Sequence, residues 1–181
     1  MLKQVVHYLT NLSNAFDSSK PKDLEVDLTS NMRLAFYKAE YGTLKDKFIA
    51  KVINSKYSHV EIVFTDDVCA SASPRDKGVR FKKINLNNGK WDIYPIKQGV
   101  LDETETKQWF LKHLGQPYDT LGAIGSGINV PMYALNKKFC SLCLALIFNF
   151  DNINLNPESL RQILIKKGYI YPQPISSSKL L

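Results

Sequence analysis

Apolar and polar side chains alternate through His59-Val60-Glu61-Ile62-Val63-Phe64. A strand there turns Val60, Ile62 and Phe64 to one face and His59, Glu61 and Val63 to the other. Further strands are predicted over 32–37, 68–73, 78–84 and 91–96, with Asp66-Asp67 and Asn87-Asn88-Gly89 as the connecting turns. On this reading the middle of the chain is an antiparallel meander. Leu44, Phe48 and Val52, with Ile49 and Ile53, recur at helical spacing behind Thr43, which predicts a helix over 43–54. Asp102 and Glu105 resemble a capping box and start a helix that runs to Leu114 and stops at Gly115. Residues 115–131 are rich in glycine and read as loop or broken helix. Within them, Gly122-Ala123-Ile124-Gly125-Ser126-Gly127 reads as a loop that needs positive φ rather than as a gate to a cleft. Residues 140–150 are apolar on nearly every side, the pattern of a helix buried in the middle of a domain. Asn156-Pro157-Glu158 opens a last helix and Gly168 ends it. The sum is an α+β fold, with helices packed on an antiparallel sheet. Residues 1–15 read as a short helix or arm and 17–30 as an exposed connector, so the domain proper spans 31–181.

Bulk properties narrow the function classes. The chain has 181 residues, 44% apolar and 23% charged, enough for one domain with a sizeable core. No apolar run approaches the roughly 18 residues needed to span a bilayer. The first sixteen residues lack the apolar block and cleavage site of a secretory signal. The expectation is a cytosolic protein. Lys and Arg number 24 against 17 acidic residues, a formal charge of +7, which favours anionic partners. The basic residues are scattered, and their densest groups (Lys82-Lys83, Lys137-Lys138, Lys166-Lys167) are only pairs. That pattern is a solvated basic surface and argues against nucleic-acid binding. Three cysteines make a disulfide framework improbable, and Cys140-x-x-Cys143 lacks the second ligand pair of a zinc site.

Two residues have the surroundings that thiol chemistry needs. Cys140 stands where the loop ending in Lys137-Lys138 becomes helix, so the helix dipole, unpaired amides and nearby cations all favour its thiolate. Cys143, a turn further in, receives less of each and reads as core. His59 stands on the less apolar side of its strand with Glu61 beside it, held by packing yet open to a nucleophile. His7 and His113 have no such company.

The order of these features resembles the permuted papain-like branch of the NlpC-type amidase and endopeptidase superfamily, the YiiX-like proteins. A poxvirus member and the lecithin–retinol acyltransferases are more distant relatives. The resemblance runs from the strand at 32–37 through Gly42-Thr43-Leu44 to Lys56-Tyr57-Ser58-His59-Val60. It continues with the pair formed by 68–73 and Lys77-Gly78-Val79-Arg80, then Gly115-Gln116-Pro117-Tyr118-Asp119, Phe139-Cys140-Ser141 and Asn156-Pro157-Glu158. It covers roughly residues 30 to 170, and permutation explains why His59 precedes Cys140. It implies a circularly permuted papain-like fold and a cysteine hydrolase, amidase or endopeptidase, that works through a thioester. Cys140 would be the nucleophile and His59 the base. Glu61 or Ser71 would orient the imidazole, with Tyr118 and Ser141 as substrate-binding or oxyanion residues. No metal or organic cofactor is implied. The substrates implied are peptidoglycan stem peptides or another amide, or lipid esters on the acyltransferase side. A cell-wall substrate would require release by lysis, carriage in a virus particle or export by an unconventional route. The rival reading is a degenerate member that acts as a binding module. The chain departs from the family at Glu61, where glycine is usual, and at Leu142, where glutamate is common. The strand after His59 also lacks the family's usual orienting carboxylate. Side chains at i and i+2 stand side by side, which makes a Glu61–His59 hydrogen bond the less natural choice.

Overall fold

The computed structural model describes residues 31–43, 47, 55–127 and 137–175. The predicted N-terminal arm lies outside them, as does most of the predicted helix over 43–54. Of the latter, Lys47 is helical and its amide donates to the Thr43 carbonyl.

Five strands form one sheet: β1 (Arg33–Lys38), β2 (Tyr57–Val63), β3 (Val68–Ser73), β4 (Gly78–Lys83) and β5 (Trp91–Pro95). The fold is α+β, and every ladder is antiparallel. The strand order is β4-β3-β2-β1-β5, so the expected meander holds for the first four strands only. β5 does not fold back on β4 across Asn87-Asn88-Gly89. It crosses to the other edge and pairs with β1, Ala35 opposite Ile93 and Tyr37 opposite Trp91. The reason lies in the connection. Ile84 and Leu86 pack on Ala35, Val63, Cys69 and Ile93, so the crossing buries the second face of the sheet. It also gives β1 a partner where it would otherwise be an exposed edge. The asparagines shape the path through local side-chain bonds, such as Asn85 Oδ1 accepting from the Asn87 amide at 3.0 Å.

Four described helices follow or flank the sheet: α1 (Glu103–Lys112), α2 (Thr120–Gly127), α3 (Cys140–Ile147) and α4 (Pro157–Lys166). Their ends obey the capping signals. Asp102 accepts from the Glu105 amide and Asn156 from the Ser159 amide. α3 stops three residues short of the predicted Phe150. Asn149 adopts φ 52°, and the Phe150 amide donates to the Ala145 carbonyl to close a Schellman motif. Asparagine is one of the few residues other than glycine that adopt this left-handed conformation at a helix end. The glycine-rich stretch is the second correction. It forms α2 with no positive φ at its glycines, because the buried Asp119 caps it through the Gly122 amide.

The main core lies between the sheet and the helices. Leu34 and Phe36 of β1 meet Val60 and Ile62 of β2, Phe64 just beyond it, Phe110 of α1, Cys143 and Leu144 of α3, and Leu160 and Leu164 of α4. Each such fully buried side chain contributes roughly 2 kcal/mol. β2 is buried on both faces, with Val63 in the smaller second cluster. Among the described residues, no helix is long and apolar enough to cross a membrane.

Candidate active site

The start of α3 is held from outside the helix. The Lys138 amide donates to the Pro117 carbonyl at 3.0 Å, and the Asp119 amide donates to the Lys138 carbonyl at 2.8 Å. This parallel bridge between Tyr118 and Lys138 fixes the extended Phe139 as N-cap and Cys140 as first helical residue. Phe139 offers no capping side chain, so the first amides of the helix keep their capacity to stabilise an anion. β2 and β3 pair only at Ile62–Ala70 and Val63–Cys69, near their turn. Beyond that point the ladder parts, and the Val60 amide favours the Cys140 sulfur anion together with the Ser141 amide.

Cys140 and His59 meet across this opening. The two groups lie close enough that each favours the charged form of the other. Burial pushes the Cys140 thiol up, but the His59 imidazolium and then the two amides outweigh it, and the thiol lies below its ordinary value. Burial likewise opposes the charge on His59. Cys140 first and Glu61 second overcome it and hold the imidazole up to about 10. Each group thus favours the charged form of the other, the thiolate beside the imidazolium.

Behind the imidazole, Nε2 lies 2.7 Å from Glu61 Oε1, which leaves Nδ1 as the ring nitrogen for Cys140. Glu61 is 0% exposed. Burial would raise its carboxyl, yet Arg80 and then His59 hold it well below its usual range. The Arg80 guanidinium grips both carboxylate oxygens, at 2.7 and 2.5 Å, and its Nε donates to Asp76 at 2.9 Å. The chain of contacts is Asp76–Arg80–Glu61–His59–Cys140.

The i, i+2 argument against Glu61 fails here. Positions two apart on a strand are separated by about 6.7 Å, and two long side chains leaning together bridge that distance. Ser71, the competing orienter, is buried with its hydroxyl donated to the Val60 carbonyl at 2.8 Å. Its small size has a different consequence. Ser71 pairs with Arg80, so nothing bulky on β3 stops the guanidinium from reaching across to β2. Arg80 was not among the residues singled out from sequence. The signal available was a lone arginine between Val79 and Phe81, but the register that aims it at Glu61 is a tertiary property.

The other predicted residues divide. Tyr118 lines a cleft of about 350 Å³ together with Ser58, His59, Glu61 and Arg80. Ser141 is brought to the helix start, but its hydroxyl donates to the Leu155 carbonyl at 2.5 Å and pins α3 to the segment before α4. Cys143 is fully buried, and burial, reinforced by Cys140, pushes its thiol up. Cys69 lies under the second face, pushed by burial to about 12. Cys140 is 4% exposed, and the cleft reaches the pair at His59. Among the described residues, no group of three or more His, Cys, Asp or Glu side chains is placed to hold a metal ion. No family model, curated protein or solved structure matches this chain.

Proposed function

We propose that the chain is a cysteine hydrolase of the permuted papain-like, NlpC-like kind, cleaving an amide or ester through a thioester. The observation that carries the reading is the paired, mutually shifted Cys140 and His59, with a buried carboxylate on the far side of the imidazole. The Cys140 sulfur attacks the substrate carbonyl, and the developing oxyanion takes the Cys140 amide at the helix start. The His59 imidazolium gives its proton to the departing amine or alcohol. It then accepts one from water, which attacks the thioester and releases the acid and the free thiolate. Glu61 fixes the tautomer through Nε2 and Arg80 keeps Glu61 ionised, so both act as positioning residues. Tyr118, which lines the same cleft as His59, would contact the substrate. Peptidoglycan stem peptides, other amides and lipid esters are the substrate classes the resemblance supports.

A thiol-directed acyl probe tests this. Labelling is expected in the wild type and in Cys143→Ala, and absent in Cys140→Ala. Labelling lost only in Cys143→Ala would place the nucleophile on the other sulfur. One observation favours a second reading, a binding module that keeps the pair as structure: Cys140 does not itself line the cleft. A Cys140 that resists iodoacetamide at neutral pH would decide for that alternative.

A further inference from the structure

His59 stands at one end of a row of rings that crosses the sheet. It lies opposite Tyr37 in the β1–β2 register, and Tyr37 lies opposite Trp91 in the β1–β5 register. All three side chains line the cleft, so they share one face. Side chains directly opposite each other on paired strands start about 5 Å apart, close enough for rings to touch. Tyr37 and Trp91 accordingly meet edge to face with centroids 4.9 Å apart, and the indole lies edge to face with the His59 ring at 6.5 Å. The Tyr37 hydroxyl donates to the Tyr41 carbonyl at 2.8 Å, which holds that ring in place. Trp91 packs on the second cluster yet stays half-buried, as does Tyr37. The result is an aromatic floor that leads from the imidazole towards β5. The crossing of β5 to β1 creates it, since a β5 folded back on β4 would not bring Trp91 beside Tyr37.

Position relative to the imidazole decides which part of a substrate meets this floor. In the proposed reaction His59 hands its proton to the departing atom and then draws one from the water that replaces it. The departing group therefore lies against the imidazole, whereas the acyl group stays on the Cys140 sulfur. On the other flank of His59, Glu61 and Arg80 are engaged with each other.

We infer that Tyr37 and Trp91 form the leaving-group subsite, and that the substrate is an amide or ester whose departing amine or alcohol carries an aromatic or other flat apolar group. The inference rests on the hydrolase reading of Cys140 and His59. It goes further by naming the side of the scissile bond that is recognised and the chemistry that recognises it.

Two isomeric thioesters test it on the intact chain. S-benzyl thioacetate carries the ring on the departing thiol, and S-methyl phenylthioacetate carries it on the acyl group. In each, the Cys140 thiolate attacks the carbonyl carbon, the carbon–sulfur bond breaks, and the departing thiolate takes the proton of the His59 imidazolium. The acyl group remains on Cys140, where mass spectrometry reads the initial rate. Dividing each rate by that of N-acetylcysteine with the same thioester at the same pH removes intrinsic reactivity. S-benzyl thioacetate is expected to be favoured about tenfold in the wild type. Trp91→Leu should bring that preference close to unity without slowing S-methyl phenylthioacetate, and Trp91→Phe should keep it. If the leucine variant loses both rates together, Trp91→Phe decides: retention of the preference supports the subsite and its loss overturns it. Equal normalised rates in the wild type, a preference for the other isomer, or a preference that Trp91→Leu leaves in place overturns the inference while leaving the hydrolase reading intact. A Cys140 acylated by neither thioester overturns both.

Discussion

Three thiols are buried in this one sheet-and-helix domain, Cys140 and Cys143 in the main core and Cys69 in the second cluster. Burial pushes all of them towards the neutral form. Cys69 and Cys143 follow that push. Cys140 goes the other way because it alone faces His59, and it lies at the end of a helix rather than within it. Of the groups involved, Cys140 and His59 were legible in the sequence, since a cysteine at a loop-to-helix boundary and a histidine on an alternating strand are local signals. Glu61 was legible only as one of two orienters, and Arg80 was not, because its role depends on reaching over Ser71 from β4. Glu61→Gln is expected to destabilise the fold by about 3 kcal/mol, since it removes the buried, bidentate one of the two carboxylates that Arg80 pairs with, leaving only Asp76. Thermal denaturation at neutral pH measures this. The native carboxyl titrates below its unfolded value of about 4.3. Its stabilisation is therefore complete above that value and is lost as pH falls through the native one. The glutamine variant should show a correspondingly shallower loss of stability on acidification. A variant as stable and as acid-sensitive as the wild type would mean that Arg80 and Glu61 contribute nothing as a pair.

Among the secondary-structure elements, the strands and the helix caps read well because alternation and capping are short-range. Two features did not. The glycine content of 120–127 signalled a loop, yet a single buried acceptor, Asp119, makes it a helix whose Gly122 lies against the Phe139 ring. The Asn-Asn-Gly turn signalled a hairpin, yet the need to cover Val63 and Cys69 carries the chain across the sheet. Gly78 joins these levels. It sits at φ 154°, and a Cβ there would stand 2.1 Å from the Gln116 carbonyl oxygen, which accepts from the Val79 amide. That contact ties β4 to the segment that carries Tyr118 and, through Pro117 and Lys138, to the start of α3. Gly78→Ala is therefore expected to cost about 3 kcal/mol and to slow Cys140 alkylation in the population that remains folded. Denaturant titration and a rate measurement below the transition check the two halves separately. Normal stability would mean that the close approach relaxes without consequence.

Across the molecule, one sheet with α3 laid on it buries Cys143 on the helical face and Cys69 on the other. Their exposure therefore reports the opening of the two faces. Iodoacetamide applied to the native protein at neutral pH should modify Cys140 alone among the three. Cys69 and Cys143 should label together, at the midpoint of a single unfolding transition. Early labelling of Cys69 would mean that the Ile84–Leu86 crossing detaches independently of the core. The formal charge of +7 adds a general attraction for anions, but the pairing of Cys140 with His59 is local and should survive added salt.

The most direct test of that pairing is the pH dependence of Cys140 alkylation by iodoacetamide in the wild type and in His59→Ala. The rate follows the thiolate fraction, so in the wild type its midpoint should lie below the ordinary thiol value of 9.0. Removal of the imidazole leaves burial unopposed by charge, and the midpoint should move above that value. A wild-type midpoint at or above the ordinary value, or one that His59→Ala leaves in place, would contradict the ion pair and the hydrolase built on it.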